Sequence, residues 1–211
     1  MANVVRAGQG FRAIWGSDSG SYAGKVNVYF QPASDATALA QGDIVKLVAT
    51  SVAPTTQTTN LYYPVAYLPT VTRITATTDV AVGVVVGFLA DPANLQYANY
   101  RLASTDRYVL VADSPAAEFE TEFNGAYTYN TAVGLNASPK IGAITVVTNV
   151  ALSNMELDGT TLATTATLMF RVKRYVQRVD NQVDTTSPAA AKVVVQFNTH
   201  QYLAGGNTTG I

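Results

Sequence analysis

Residue types that carry much of protein chemistry are scarce in this chain: among 211 residues there is no cysteine and one histidine, and charged residues make up 13%. Without cysteine there is no disulfide framework, thiol nucleophile or cysteine-ligated zinc site. A catalytic triad would have to use His200, which would need an orienting carboxylate and a nucleophile. We expect His200 to make a backbone hydrogen bond instead, and we expect no catalytic residue, metal or cofactor.

Positive and negative charges are nearly balanced. The net charge is −1, so the chain lacks the broad positive surface of nucleic-acid-binding domains. No run of about 18 uncharged apolar residues occurs, and we expect no membrane-spanning segment. A surface rich in Thr, Ala, Asn, Gln and Ser offers little repulsion between copies. This composition favours a homodimer or homotrimer, and a neutral monomeric domain is the alternative.

The residues that are abundant indicate an all-β fold. β-branched and aromatic residues dominate, and turn residues recur every eight to fifteen positions, as in a β-sandwich or β-barrel. The apolar run 80–90 (VAVGVVVGFLA) predicts a buried strand. Short helices are candidates only at 33–40 and 92–99. The other predicted strands lie within 44–53, 71–78, 107–113, 163–180 and 189–197.

The chain divides into three segments by composition. Residues 1–34 are rich in Gly and Ser but also carry aromatic side chains, which a disordered tail would lack. We interpret them as an extended N-terminal arm that packs on its own domain or on a neighbouring subunit. Residues 35–203 form the β-rich domain, and residues 204–211 form a short, loose tail. The aromatic anchors of the arm are Phe11, Trp15 and Tyr22.

Two dipeptides predict β-hairpins. Asn124–Gly125 favours a two-residue turn, with Tyr127 and Tyr129 opposite an alternating acidic strand. One face of that hairpin is apolar, and the other, a Glu/Tyr face, is either solvated or a binding surface. Asp158–Gly159 predicts a second hairpin with Met155 opposite Leu162. The acidic residues of the first hairpin are Glu118, Glu120 and Glu122.

A basic stripe follows later in the chain, and Tyr175 lies among its charges. One stripe is weak support for nucleic-acid binding, so we interpret it as a solvated strand face or as the partner of an acidic surface. Complementarity with the acidic hairpin of a neighbouring subunit would set register and orientation. The stripe consists of Arg171, Lys173, Arg174 and Arg178.

Longer segments of the sequence resemble a known family. The segments ALAQGDIVKLV, VAVGVVVGFLAD and YRLASTDRYVLVADSPAAEFETEFNG look like the head-decoration (cement) proteins of tailed bacteriophages. LSNMELDGTTLATTATLMFRVKRYVQRVDNQ and KVVVQFNTHQYLAGG are similar to phage virion proteins of the same kind. The resemblance covers most of residues 38–206 and rests on no catalytic motif.

This resemblance implies a β-rich, non-enzymatic protein on the outside of an icosahedral head. Its partners would be the major capsid protein and other copies of itself, and it would be made in the bacterial host cytoplasm before joining the virion. Two alternatives remain, a carbohydrate-binding or adhesive module using some of the twelve tyrosines, and a tail or head-fibre component. The candidate interface residues are Phe11, Trp15, Tyr22, Glu118, Glu120, Glu122, Tyr127 and Tyr129.

Overall fold

A computed structural model describes residues 9–15, 22, 24–52, 68–91, 95–181, 183 and 190–203. Within these ranges the regular structure is sixteen strands and three short 3₁₀ turns, with no helix of seven or more residues, so the all-β prediction is confirmed. The predicted tail at 204–211 lies outside the described residues. The strands are β1 (Arg12–Trp15), β2 (Asn27–Gln31), β3 (Leu39–Ala40), β4 (Ile44–Val52), β5 (Leu68–Arg73), β6 (Gly83–Phe88), β7 (Tyr100–Arg101), β8 (Arg107–Ala112), β9 (Glu118–Asn124), β10 (Asn136–Ala137), β11 (Pro139–Lys140), β12 (Thr145–Val147), β13 (Val150–Leu152), β14 (Glu156–Asp158), β15 (Phe170–Tyr175) and β16 (Lys192–Phe197).

Five strands close a small barrel in the order β2-β5-β4-β6-β8. The apolar run 80–90 supplies β6, and its neighbouring residues Val84 and Val85 are both fully buried. Successive side chains of a strand point to opposite faces. Val85 accordingly belongs to the core cluster that includes Tyr29, and Val84 to the separate cluster that includes Phe119. The apolar run is continuous because β6 is covered on both faces.

The second layer is a sheet in the order β10-β15-β16-β9-β14-β11, and β1 also pairs with β9. β16 pairs with β9 and β15 in antiparallel register, whereas β14 runs parallel to β9. The apolar face of this sheet carries Phe119, Phe170 and Val195, which pack with Ile44 and Val84 of the barrel. One shared core therefore joins the barrel to the sheet.

The described part of the segment 1–34 is built into the chain's own domain. β1 extends the sheet beside β9, and β2 is a barrel strand paired with β8 and β5. Tyr29 and Phe30 of β2 are 2% and 1% exposed. The described residues of this segment therefore pack on the chain's own domain, which is the first of the two alternatives. Because β2 is a barrel strand, the predicted boundary at residue 34 does not separate an arm from the barrel.

The predicted hairpin at Asn124–Gly125 is wrong. β9 ends at Asn124, but residues 126–131 form no strand that returns along it. One edge of β9 is occupied by β16, and β1 and β14 share the other. Tyr127 stacks on Phe123, with ring centroids 4.2 Å apart, instead of following the alternation of a second strand. Pairing of β9 with strands distant in the sequence therefore replaces the hairpin that Asn124–Gly125 predicted.

The second predicted hairpin is also wrong. Asp158 ends β14 and caps a 3₁₀ turn at Gly159–Thr161, where its carboxylate accepts a hydrogen bond from the Thr160 amide at 3.0 Å. β14 pairs with β9 and β11, so Met155 and Leu162 do not face each other across a hairpin.

Both short helix predictions fail in the described residues. Residues 33–40 contain a turn and β3, and only Leu95–Tyr97 of the segment 92–99 forms a 3₁₀ turn, with 92–94 outside the described ranges. The long strand predicted over 163–180 is limited to β15.

Candidate interaction surfaces

The three glutamates of β9 share one face of the strand, as their alternation predicted. Phe119 and Phe123 point into the core from the opposite face. Of the two alternatives for this face, solvated or binding, solvation is excluded for Glu120 and Glu122, which are each only 7% exposed. Glu118 is half-buried. The acidic face is therefore mostly covered by other parts of the same chain.

Arginines of the same chain cover this acidic face. Glu118 forms an ion pair with Arg174 of β15 at 2.7 Å. Glu120 accepts a hydrogen bond from Nη1 of Arg178 at 3.1 Å and lies 3.5 Å from Nη2 of Arg12. The hydrogen bond to Glu120 is the main cause that raises the pKa of Arg178. The acidic and basic side chains that we expected to pair between subunits therefore pair within one subunit.

A lysine extends the charged layer beyond β9. Lys192 lies opposite Glu122 in the register of β16 and β9, and only 2% of it is exposed. Its ammonium is 3.2 Å from the carboxylate of Asp180, which also pairs with Nε of Arg178 at 3.2 Å. The lysine side chain is buried on the face that it shares with Glu122, while its ammonium reaches the partly exposed carboxylate of Asp180. Glu118, Glu120 and Asp180 therefore have cationic partners within the chain, whereas Arg171 and Lys173 of β15 are exposed.

The tyrosines predicted on the Glu/Tyr face lie elsewhere. Tyr127 is 6% exposed and belongs to the core around Phe123. Tyr129 is half-buried, and its carbonyl accepts a hydrogen bond from the hydroxyl of Tyr175 at 3.0 Å. Burial raises the pKa of Tyr175 to about 12. These rings stabilise the sheet and do not form a surface with the glutamates.

The aromatic anchors of the N-terminal segment are separated. Phe11 is 1% exposed and stacks on Phe170 with ring centroids 4.6 Å apart. Trp15 ends β1 opposite Glu118, and its side chain lies outside the described part of the chain. Tyr22 is half-buried, and its hydroxyl donates to the carbonyl of Lys25 at 2.8 Å. Of the three, Phe11 is therefore unavailable to a partner.

Sequence reasoning missed a buried ion pair at the junction of barrel and sheet. Asp43 is fully buried, and its Oδ2 lies 3.1 Å from Nε of Arg73. The hydroxyl of Ser153 and the amide of Ala40 donate to this carboxylate at 2.7 and 2.8 Å. Burial raises the pKa of Asp43, and Arg73 acts against that rise. Asp43 follows Gly42 before a strand, a context that does not distinguish it from a turn residue.

Arg101 is a second buried charge without a sequence signal. It is 1% exposed, and its guanidinium donates to the carbonyl oxygens of Pro32, Asp35, Thr37 and Thr105. Burial lowers the pKa of Arg101 to about 10. Five fixed N–H donors suit a ring of carbonyls, so this side chain holds two loops together and is not a binding group.

The single histidine is structural as well. His200 is fully buried against Phe197, with ring centroids 4.9 Å apart. Its Nδ1 accepts a hydrogen bond from the amide of Tyr202 at 3.1 Å, which confirms the expected backbone role. Burial lowers the pKa of His200 to about 4, with a backbone hydrogen bond at Val82 opposing the shift.

Among the described residues, three exposed valines lie together in the two-stranded ribbon β12–β13, which forms a sheet of its own. Val146, Val147 and Val150 are 51%, 57% and 46% exposed. Val146 and Val147 are consecutive and point to opposite faces, so both faces of β12 are partly exposed. The base is anchored, because Ala151 is buried and its carbonyl accepts a hydrogen bond from Asn99 at 3.1 Å. The sequence placed no strand here.

An open groove of about 400 Å³ lies beside the base of the ribbon. Phe11, Tyr22, Val86 and Leu152 contribute to its wall. Arg12 is the one charged side chain among the described residues that line it, and Arg12 also faces Glu120. The described wall therefore carries no carboxylate or histidine that could act as a general base.

Two further findings concern the described ranges alone. No helix there is long and apolar enough to cross a membrane. No group of three or more histidine, aspartate or glutamate side chains in that part of the chain is arranged to hold a metal ion.

Comparisons with protein-family models, with curated proteins and with solved structures found no match.

Proposed function

We propose that this chain is a non-enzymatic structural protein of a phage virion, which binds the outer surface of the capsid as a decoration (cement) protein and stabilises the head. Its partners are the major capsid protein and further copies of itself. It is made in the cytoplasm of the bacterial host and resides on the capsid surface. The observation that carries the proposal is the uncharged ribbon β12–β13, a separate two-stranded sheet with exposed valines.

The disposition of charge supports this reading. Glu118 and Glu120 pair with arginines of the same chain, and Lys192 pairs with Asp180. The described face of β9 therefore presents charges that are paired within the chain, whereas the ribbon presents uncharged, exposed side chains. Interface cores are depleted of charged residues, so the ribbon fits the centre of a protein–protein contact better than the β9 face does.

Binding to heads tests the proposal directly. Purified protein is mixed with undecorated heads of the phage whose genome encodes it, and bound protein is measured by sedimentation. We expect saturable binding and a higher temperature of DNA release. Val150→Asp places a charge on the ribbon, and we expect it to weaken binding by about tenfold or more. Val133→Asp is the matched control, because Val133 is 49% exposed elsewhere on the surface.

Three outcomes would contradict the proposal. Absence of binding to heads refutes it, and binding to tails or fibres assigns the chain to those parts of the virion. If Val150→Asp and Val133→Asp weakened head binding equally, the ribbon would not be part of the contact with the head.

One surface feature supports carbohydrate binding as a second candidate. Asp113 accepts hydrogen bonds from the Asn27 side chain and the Tyr29 hydroxyl, both at 2.7 Å. Tyr202 is 49% exposed, and its hydroxyl lies 3.2 Å from that of Tyr29. A few convergent polar groups beside an aromatic ring can orient a polar ligand such as a sugar. Binding on a glycan array that Tyr202→Ala abolishes, with no affinity for heads, would favour this candidate.

A further inference from the structure

The ribbon β12–β13 lies in a stretch without charge. No Asp, Glu, Lys or Arg occurs between Lys140 and Glu156. Proteins usually protect exposed strand edges with charged residues, prolines or bulges. β12 has the sequence Thr-Val-Val, and the pairing of β12 with β13 is regular. None of these protective devices is present in β12, and its outer edge is open to a further strand among the described residues.

The register shows which backbone groups face outward. Thr148 and Asn149 form the turn between Val147 and Val150, which are paired. Residues flanking a two-residue turn form a hydrogen-bonded pair, and the pairs alternate along a ribbon. Val146 and Ala151 are then the non-bonded pair, with their N–H and C=O groups directed outward. The hydrogen bond from Asn99 to the Ala151 carbonyl agrees with this assignment.

The two outer edges are therefore unequal. Asn99 lies on the edge of β13, whereas the edge of β12 at Val146 faces away from it. Two copies that pair through the same edge form an isologous contact with twofold symmetry. Two β12 strands related in this way run antiparallel, and the twofold axis passes between the two copies of Val146.

We propose that β12 pairs with β12 of a second copy of this chain, so that the two ribbons form a four-stranded sheet across a twofold axis. The two copies of Val146 exchange their outward N–H and C=O groups, and Thr145 of each copy lies opposite Val147 of the other. The occupant is a second copy because this register is self-complementary and the neutral ribbons meet without charge repulsion.

The contact is small, since each copy contributes a single short strand and its flanks. Stable interfaces bury about 1,200–2,000 Å², which one ribbon does not reach. The pairing is therefore weak in dilute solution and forms fully where copies are concentrated. The inference makes the self-association in the proposed function specific. It is tested without capsids, so that its failure and the failure of head binding are distinguishable.

Cysteine crosslinking tests the register, and the chain has no native cysteine that would interfere. In a hydrogen-bonded antiparallel pair the Cα atoms are about 5.5 Å apart, within disulfide range. We expect Val146→Cys to form a covalent dimer under mild oxidation. Val147→Cys is the matched control, because its two copies would lie about 8 Å apart, beyond that range. We expect it to crosslink at least about tenfold more slowly.

Sedimentation of the reduced protein supplies the second measurement. Val146→Pro removes the outward N–H but keeps the bonds of Thr145 and Val147 to β13. We expect its dimer dissociation constant to rise about tenfold, while Val146→Thr, which keeps the N–H, stays near the wild type. Equal crosslinking of Val146→Cys and Val147→Cys, or a wild-type protein that stays monomeric up to millimolar concentration, would overturn the proposal.

Discussion

The burial of His200 couples the stability of the protein to pH. Burial lowers the pKa of His200 to about 4, so the folded state keeps the ring neutral where the unfolded chain, with a pKa near 6.5, takes up a proton. The free energy of unfolding is therefore greatest above pH 6.5 and falls as the pH drops towards 4.

We expect this effect to amount to about 2 kcal/mol between pH 7 and pH 5. His200→Asn keeps a hydrogen-bond acceptor for the Tyr202 amide but does not titrate, so its unfolding free energy should lose most of that decline. Urea unfolding at both pH values measures the difference. If the unfolding free energy of His200→Asn fell between pH 7 and pH 5 by as much as that of the wild type, titrating carboxylates would account for the fall.

Arg101 stabilises the fold through the planar, multi-donor geometry of its guanidinium and not through its charge alone. A lysine keeps the positive charge but cannot reach four carbonyl groups in one plane. We expect Arg101→Lys to lower the free energy of unfolding by about 3 kcal/mol, because buried carbonyls lose their donors. Arg171→Lys on the exposed face of β15 is the matched control, with an expected change of about 0.5 kcal/mol or less. Similar losses for both variants would refute this role.

At the scale of the element, β9 has one apolar face and one acidic face. Its phenylalanines contribute to the core, and its glutamates anchor arginines from β1 and from the β15 region. The alternation of residues was readable from the sequence. The burial of the acidic face was not, because Arg12 and Arg178 are distant from β9 along the chain.

Two substitutions in β9 separate buried from exposed ion pairs. Glu120→Gln removes the charge that Arg178 and Arg12 share, and Glu120 is 7% exposed. We expect it to lower the free energy of unfolding by about 1–2 kcal/mol. Glu118→Gln should change it by less than about 1 kcal/mol, because the Arg174 side chain is 43% exposed. Denaturant unfolding of the two variants side by side measures the difference, and equal losses would contradict this ranking.

At the scale of the whole molecule, closure of the barrel depends on β2. Deleting residues 1–31 removes β1 and β2, which opens the barrel and exposes the edges of β5 and β8. We expect the truncated chain to aggregate or to lack a cooperative unfolding transition. Size-exclusion chromatography and thermal unfolding measure this, with deletion of residues 1–8 as the comparison. A soluble, cooperatively folding deletion of 1–31 would show that β2 is dispensable.

The sequence by itself determined the features that depend on local pattern. The all-β class, the buried strand within 80–90 and the two-faced character of β9 follow from β propensity and a period of two, which neighbouring residues set. The absence of cysteine also excluded disulfides and cysteine-ligated metal sites outright.

Only the tertiary structure decided which partners each strand took. Asn124–Gly125 and Asp158–Gly159 carry strong local hairpin signals, but β9 and β14 pair with strands far away in the chain, and both hairpins are absent. The same long-range packing buried Arg101 and Asp43 and left the valines of β12 exposed. Burial and pairing are sums over contacts distant in sequence, so no local pattern specifies them.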